Sequence, residues 1–556
     1  MIGRAAMLSA AAAHGRRSDQ AQRWMPMTTE TLAHSLAEEV TPATMLQMAG
    51  WHAQSGDPAQ AERCYRWVLE RDPHHVPALQ RLASLLQSDG QRAPEALPLL
   101  DAAIALQPHA GALHAARAIA LNALERRLDA LESFAQVCCL APGEPGALYN
   151  LSLQYADLCC PAQTEVIARH LIGLYPDWPA AHYMLLRALT ALEADPAEIA
   201  PLYRYLIKSD PMNASLRFAQ GLMQLKAGNY AAGWDAQEWR WDIEPAKSAQ
   251  RVFGQPRWSG GPLAGRCLLV TGEQGFGDIL QFARYLPMLV ERGARVVLLL
   301  DDNRAALARL LDRIGGVEVV VGAQALPPFD LHCPLASLPY MFDTTVDSIP
   351  APPYLSVDAA DVAAWKQRLA HLPRPWVGLC WAGSSQHIHN VRRSLPLCAG
   401  SRYYAERQVR ERRILAVASR VAAACGLDGL DAAAARDAVP SGWTLAPLLE
   451  RTAGTFVSLQ VGPHATDIDA LPASLRARIV APLPAQPDFY ETACLIRALD
   501  EVITVDTSAA HLSGAIGQRG RIITPLAPEW RWIERNGRSA WYPEMRLMTQ
   551  EAVSGQ

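Results

Sequence analysis

The stretch Arg266-Cys267-Leu268-Leu269-Val270-Thr271-Gly272-Glu273-Gln274-Gly275-Phe276-Gly277-Asp278 decides how the second half of this 556-residue chain is read. Arg266 to Thr271 has the short apolar run of a strand buried on both faces. It passes straight into a glycine-rich loop. A helix is expected next, Ile279 to Arg292, with Ile279, Phe282, Ala283, Leu286, Leu289 and Val290 on its apolar side. A second strand follows, Arg295 to Leu300, ending at Asp301. Strand, glycine loop, helix and strand make the βαβ unit of a parallel sheet. A ligand is expected at the carboxyl end of the first strand, where backbone N–H groups of loop and helix converge. Gly275 and Gly277 match the first two glycines of a dinucleotide fingerprint, and Asp301 stands at the distance of a ribose contact. Leu280 occupies the third glycine's place, which disfavours a nicotinamide site. Asp278, at the helix start, suits either a helix cap or a catalytic base.

Two more units of this kind lie downstream. Trp376 to Trp381 is a strand that leads into Ala382-Gly383-Ser384-Ser385, with Arg392 and Arg393 beyond. An arginine pair after such a loop suits a phosphate clamp or a solvated face. Glu491 to Leu499 is a helix, and Glu501 to Val505 a strand. Asp506-Thr507-Ser508-Ala509-Ala510-His511 then opens a further helix, with Asp506 able to cap it. Thr507 and Ser508 offer N–H and hydroxyl groups at its positive end, and His511 lies over the same turn, a good diphosphate cradle. The same residues also fit an ordinary cap and a core histidine.

Upstream of Gly254 the pattern is different. Pro73, Pro108, Pro142, Pro176 and Pro211 stand 35, 34, 34 and 35 residues apart, each after an apolar helical stretch. A period near 34 with paired helices resembles the tetratricopeptide repeat. Proline ends one helix pair and permits the next to begin. No pair buries its apolar face alone, so the pairs stack into a solenoid with a concave groove suited to a peptide or protein partner. Five to six repeats are expected between Pro42 and Asp242, Gly228-Asn229-Tyr230 marking entry to the last helix.

Composition narrows the classes further. Half of the residues are apolar, so a sizeable core forms and wholesale disorder is excluded. Fifty-one basic residues against 55 acidic ones exclude the basic field of a general nucleic-acid binder. Eleven cysteines with no CxxC spell neither a disulfide framework nor a zinc site; buried or free thiols are expected, the adjacent pairs Cys138-Cys139 and Cys159-Cys160 on helices. The best apolar run, Val296 to Leu300, is strand-sized, and none approaches the roughly 20 residues of a membrane span, so no span is expected. Met1 to Arg17 lacks the apolar region of a signal peptide, Met25 or Met27 would serve as a start, and a cytoplasmic location is read. Seven of the 15 tryptophans fall in two groups: Trp234, Trp239, Trp241 and Trp258, then Trp530, Trp532 and Trp541. Large aromatics suit docked surfaces, so a rigid junction is expected between the two halves.

Gly275-Phe276-Gly277-Asp278-Ile279-Leu280 and Asp506-Thr507-Ser508-Ala509-Ala510-His511-Leu512 together resemble the two hallmark motifs of glycosyltransferase family nine, the heptosyltransferase-like enzymes. The run from Pro256 onward is similar to bacterial proteins that join tetratricopeptide repeats to such a domain. The similarity is carried also by Gln281-Phe282-Ala283-Arg284-Tyr285, Val377-Gly378-Leu379-Cys380-Trp381-Ala382-Gly383 and Ala527-Pro528-Glu529-Trp530-Arg531-Trp532. The resemblance implies a multidomain chain: an all-α repeat solenoid followed by an α/β, two-lobed, Rossmann-like transferase of the GT-B type. The expected divisions are 1–41 without fixed structure, a solenoid over 42–242, a linker over 243–265, lobes over 266–375 and 376–545, and a tail over 546–556. The implied activity is inverting, metal-independent transfer of a sugar from a nucleotide-diphosphate donor, with no cofactor, to a protein or glycan acceptor presented by the repeats. Asp278 is then the base, and Thr507, Ser508 and the helix end hold the leaving diphosphate. Arg392 or Arg393 adds positive charge, Asp506 meets sugar hydroxyls, and Glu491 and Thr492 touch the nucleoside; Gly275, Gly277, Gly383, Ser384 and His511 complete the donor site. The rival reading is an inactive scaffold that binds partners through its repeats. One segment departs from the pattern: Cys398 to Trp443, rich in Arg and Ala, intervenes where such proteins pass directly to the next helix. A solvated helical insertion or a lid is expected there.

Overall fold

The computed structural model describes residues 41–89, 92–244, 251–322, 326–384, 390–437, 443–525 and 527–554. Nearly all of the segment expected to lack structure, and residues 245–250 of the expected linker, lie outside them. The chain divides into two compact units: Met1–Leu189 with Arg410–Asp437, and Thr190–Val409 with Ala438–Gln556.

Paired helices fill the first part of the chain. Among the described residues the pairs are α1 (Pro42–Gln54) with α2 (Pro58–Arg71), α3 (Val76–Ser88) with α4 (Ala93–Leu106), α5 (Gly111–Ala123) with α6 (Arg127–Leu140) and α7 (Pro145–Asp157) with α8 (Pro161–Leu174). The chain continues with α9 (Pro179–Ala191) and α10 (Pro196–Ser209), and then the pair α11 (Ala214–Lys226) with α12 (Tyr230–Gln237). The periodic prolines fall between pairs. A second set, including Pro58, Pro145, Pro161 and Pro196, stands in first helical turns, where the missing N–H has no intrahelical partner to lose. Five of the described turns between successive helices hold one residue at positive φ: Gly56 (80°), Glu125 (58°), Cys159 (57°), Glu193 (55°) and Gly228 (80°). Glycine enters this region freely, whereas the other three hold it against their Cβ, so the register of the repeat outweighs the local preference. Cys159-Cys160, expected on a helix, therefore lies in a turn, with Cys160 at the cap position of α8. Alanines such as Ala61, Ala96, Ala118 and Ala130 are fully buried, which lets neighbouring helices approach closely.

The α/β region carries two sheets. In the first, β1 (Cys267–Thr271), β2 (Arg295–Leu300), β3 (Val317–Val321) and β4 (Leu331–Pro334) are all parallel in the order β3-β2-β1-β4. The second holds β5 (Trp376–Cys380), β6 (Thr455–Ser458), β7 (Ile479–Val480), β8 (Glu501–Val505), β9 (Gly520–Thr524), β10 (Glu534–Arg535), β11 (Arg538–Ser539) and β12 (Met545–Thr549). Its order is β10-β11-β12-β9-β8-β5-β6-β7, parallel from β12 to β7, with a short antiparallel edge. The stretch 546–556, expected as a tail, thus begins inside β12, which pairs with β9. The helix expected over 279–292 is broken: α13 (Phe276–Phe282) gives way to a tight turn at 283–285 before α14 (Leu286–Glu291). Pro287 is the physical reason, since it cannot donate to the preceding turn and its ring crowds that turn's carbonyl. Two later helices carry the remaining motifs, α15 (Phe489–Ala498) and α16 (Ser508–Ala515).

The two tryptophan groups meet. Trp234 of α12 is buried with its ring 5.3 Å from Trp530, 6.2 Å from Trp541 and 6.4 Å from Phe282 of α13. Its indole N–H donates to the Thr344 carbonyl (2.9 Å), and that of Trp541 donates to the Tyr230 hydroxyl (3.1 Å). Trp239 and Trp241 instead lie beneath the guanidinium groups of Arg217 and Arg240, and Trp258 packs on Phe342. Within this unit the last repeat helix is docked on the α/β region, as the aromatic clustering predicts.

The insertion is neither solvated nor free. Its helices span Arg402–Cys425 and Leu430–Asp437, and from Arg410 onward they belong to the repeat unit. Ile414, Val417, Ala418, Val421, Leu427 and Leu430 share one apolar cluster with Phe134 and Cys138 of α6, Leu151 and Tyr155 of α7, and Leu171 of α8. The arginines that suggest a solvated face make the rim: Arg413 pairs with Glu132 (2.8 Å) and Asp129, and Arg436 with Glu165 (3.6 Å). Such rim pairs fix orientation more than they stabilise. Leu430→Ala is therefore expected to cost about 2–5 kcal/mol by urea unfolding and to make residues 402–437 sensitive to protease. A solvated helix would shift stability by no more than about 0.5 kcal/mol.

Candidate functional site

The glycine loop between β1 and α13 is pinned on both sides. Glu273 accepts from Arg240 (2.7 and 3.0 Å) and from the Ala336 N–H (3.1 Å). The Gln274 carbonyl accepts from Arg304 (2.7 and 3.0 Å). This fixes Gly275 as the cap position of α13. Asp278 reaches back, its Oδ2 accepting from the Gly275 N–H at 3.0 Å. The cap expectation is met by this return bond from the first turn rather than at the cap position itself. The other oxygen of Asp278 accepts from the Arg531 guanidinium, 253 residues away. Gly277 faces the second motif: a Cβ there would lie 2.8 Å from Cδ2 of His511, so only glycine lets α13 meet that ring. Leu280 is fully buried, and Asp301, exposed just past the carboxyl end of β2, pairs with Arg251 (2.6 Å).

At the end of β8 the roles shift by one residue. Thr507, not Asp506, is the cap position of α16, and its hydroxyl makes no capping bond. That hydroxyl turns inward to Thr504 (3.2 Å) and Cys380 (3.8 Å), leaving N–H groups of the first turn as the polar face of the helix end. Ser508 is half-buried beside it. Asp506 is buried. Desolvation, with Glu529 nearby, pushes its carboxyl up to about 6 against the pull of Arg393 and Arg531. Burial, then the Arg531 charge, pushes His511 down to about 3, so its imidazole is neutral at pH 7. Its Nδ1 shares a hydrogen bond with the Tyr542 hydroxyl (2.9 Å), and its ring lies 4.9 Å from Trp532.

The two expected clamp arginines part company. Arg392 donates to the Ala191 carbonyl (3.2 Å) and its own carbonyl accepts from Gln550 (2.8 Å). Arg393 lies against Gly383, where a Cβ would sit 2.7 Å from its Nη2, and it acts electrostatically on Asp506. The Arg393 Nε is buried without a hydrogen-bond partner among the described residues. Ser384 is exposed at the edge of the described residues. Glu491 and Thr492 occupy the first turn of α15, tied to its cap Asp488: the Glu491 N–H donates to Oδ1 and the Thr492 hydroxyl to the backbone carbonyl. That turn adjoins the glycine loop through Phe489, 5.0 Å from Phe276. The structure thus brings together Asp278, Gly277, Asp506, His511 and Arg393, and sets Arg392 and the Thr507 hydroxyl aside.

Three site residues escape the sequence reading. Arg531 and Glu529 stand in the Glu529-Trp530-Arg531-Trp532 run, where alternating aromatic and charged residues are the available signal. Gln460 fixes the loop after β5: its Oε1 accepts from the N–H of Trp381 (3.1 Å) and Ala382 (2.9 Å), and its Nε2 donates to the carbonyls of Ala382 and Val461. Among the described residues no group of three or more His, Cys, Asp or Glu is placed to hold a metal ion. None of their helices is long and apolar enough to cross a membrane. A cavity of about 390 Å³ lined by Pro353, Leu355, Val362, Lys366, Arg497 and Ile516 involves none of the expected site residues.

No family model matches the chain. A curated relative, the protein FlbA of Caulobacter vibrioides, is 27% identical over 462 residues, covering 78% of this chain and 69% of its own length. Among solved structures, pilF of Pseudomonas aeruginosa is 18% identical, covering 38% of this chain and 96% of that one with a TM-score of 0.31. A tetratricopeptide repeat protein from Parabacteroides merdae is 16% identical, covering 37% and 76% with a TM-score of 0.31. The chain carries a tetratricopeptide-repeat-like helical region and a C-terminal α/β region with two sheets.

The environment of Asp506 makes a signed prediction. Its folded-state pKa, about 6, lies above that of a free aspartate, so the folded chain binds the proton more tightly and stability falls as pH rises from about 4 to about 6. Asp506→Asn lacks this loss. Its melting temperature relative to the wild type is expected to climb over that interval and level off above it. A constant difference across pH 4–7 contradicts the burial argument. His511 is common to both proteins and drops out of the comparison.

Proposed function

We propose that the α/β region binds a nucleotide-diphosphate sugar at the Asp506–Arg393–α16 end of the cleft and transfers the sugar to an acceptor. The observation that carries this reading is that the Asp278 carboxylate and the half-buried Arg393, whose Nε is covered and without a partner among the described residues, both act electrostatically on His511 in the first turn of α16. In the transfer, the acceptor's hydroxyl oxygen bonds to the anomeric carbon as that carbon's bond to the diphosphate oxygen breaks. The bonding pair leaves with the nucleoside diphosphate, and the hydroxyl proton passes to Asp278. Helix end and arginine meet the charge that develops on the leaving group. The neutral His511 donates or accepts a hydrogen bond without adding charge.

A second reading is a scaffold that binds partner proteins through its repeats and keeps the cleft without turnover. Two observations favour it: the repeat array is a binding architecture by itself, and the Asp278 carboxylate is occupied by Arg531 and Gly275. The test is a donor screen with the purified chain. A matching nucleoside diphosphate at 100 times its Kd raises stability by about 2.7 kcal/mol, the matching sugar nucleotide is consumed, and Asp278→Asn lowers turnover by about 10²-fold or more. Absence of stabilisation by every nucleoside diphosphate, with no turnover, favours the scaffold.

A further inference from the structure

Arg531, between the two motifs, is the residue whose position asks for a role. It sits in a tight turn between Trp530 and Trp532, both buried, so its backbone is held by two anchored side chains. Its guanidinium lies 4.6 Å above the Trp530 ring and divides between two carboxylates, Nη2 donating to Asp278 and Nη1 to Glu529 (2.6 Å). Each carboxylate is held through one nitrogen, so the bidentate fork that an arginine offers to an oxyanion is unused. Glu529 is half exposed, whereas Asp278 and Arg531 are mostly covered. Arg531 also acts on Asp506, as Arg393 does, so two guanidinium groups flank the end of β8 ahead of the first turn of α16.

Both oxygens of Asp278 are engaged, Oδ1 by the Arg531 guanidinium and Oδ2 by the Gly275 N–H, so an acceptor hydroxyl would have to displace one of these donors to reach the carboxylate. If Asp278 is to take a proton, Arg531 must leave it. We propose that Arg531 exchanges partners when a diphosphate enters: the guanidinium moves from Asp278 to the phosphate oxygens, so the donor's own charge frees the carboxylate on the far side of the cleft. This rests on the donor-binding reading above. No covalent bond changes in the exchange; one ion pair replaces another, and Asp278 keeps its bond from the Gly275 N–H. The pairing makes base release conditional on an occupied donor site, so the freed carboxylate and the sugar are present together. Because Trp530 and Trp532 hold the turn, only the end of the Arg531 side chain has to move.

A thermodynamic cycle on the full chain tests this, with titration calorimetry of inorganic pyrophosphate and of ADP, GDP, UDP and CDP on the wild type, Asp278→Asn, Arg531→Ala and the double variant. Removing Asp278 relieves repulsion of any anion, so its effect alone decides nothing; the coupling decides. The exchange requires Arg531→Ala to weaken binding at least 10-fold. It also requires Asp278→Asn to tighten binding several-fold with Arg531 present and less than 2-fold in the Arg531→Ala background. Equal effects of Asp278→Asn in both backgrounds, or unchanged affinity in Arg531→Ala, overturn the exchange while donor binding stands. A wild type that binds none of these ligands overturns the donor reading itself, and the exchange with it. Should Arg531→Ala fail to fold, Arg531→Lys takes its place in the cycle: it keeps the charge without the fork and is expected to bind with intermediate affinity, and wild-type affinity there counts against the exchange.

Discussion

The packing of Trp234 against Trp530, Trp541 and Phe282 is the contact on which the α/β unit depends. It joins three parts that are remote in sequence: the last repeat helix, the helix after the glycine loop, and the segment that carries Arg531. Burying rings of this size excludes water from a broad surface and leaves few alternative arrangements. Two of its indole N–H groups are satisfied, that of Trp234 by the Thr344 carbonyl and that of Trp541 by the Tyr230 hydroxyl, whereas that of Trp530 is buried without a partner among the described residues. Nearby, Arg240 binds Glu273 of the glycine loop and the Ser337 hydroxyl, so the loop is braced from the repeat side as well. Asp278 therefore stands on a rigid base.

That rigidity sets the electrostatic character of the site where the two motifs meet. Asp278, Asp506 and Glu529 face Arg393 and Arg531 within a largely dry region. Burial raises Asp506 toward neutrality and keeps His511 uncharged, so the net charge of the site is set by a few groups. Gly277 against His511 and Gly383 against Arg393 are the two places where absence of a side chain permits the approach. Together these contacts place the two motif loops face to face.

Much of this was legible because it is local. Strands β1, β2, β5 and β8 follow from apolar runs, and the repeat follows from prolines about 34 residues apart. The break before Pro287 was also available from sequence, but the apolar spacing across it masks the interruption. What escaped depends on distant partners. Arg531 meets Asp278 only after the chain closes, and Thr507 turns inward because Thr504 and Cys380 offer it partners. The insertion reads as solvated because its apolar residues are spaced among arginines, and those arginines find Asp129, Glu132 and Glu165 only on the folded repeats. Arg392 and Arg393 are neighbours in sequence, yet the end of one short helix sends them to different partners.

The last repeat helix, the glycine-loop helix and the C-terminal segment form one body held by Trp234. Hydrogen exchange measured on the full-length wild type and Trp234→Ala tests it most directly. One body predicts that exchange rises together in residues 230–244, 276–285 and 530–545 of the variant. A rise confined to 230–244, with the other two segments as protected as before, would contradict it.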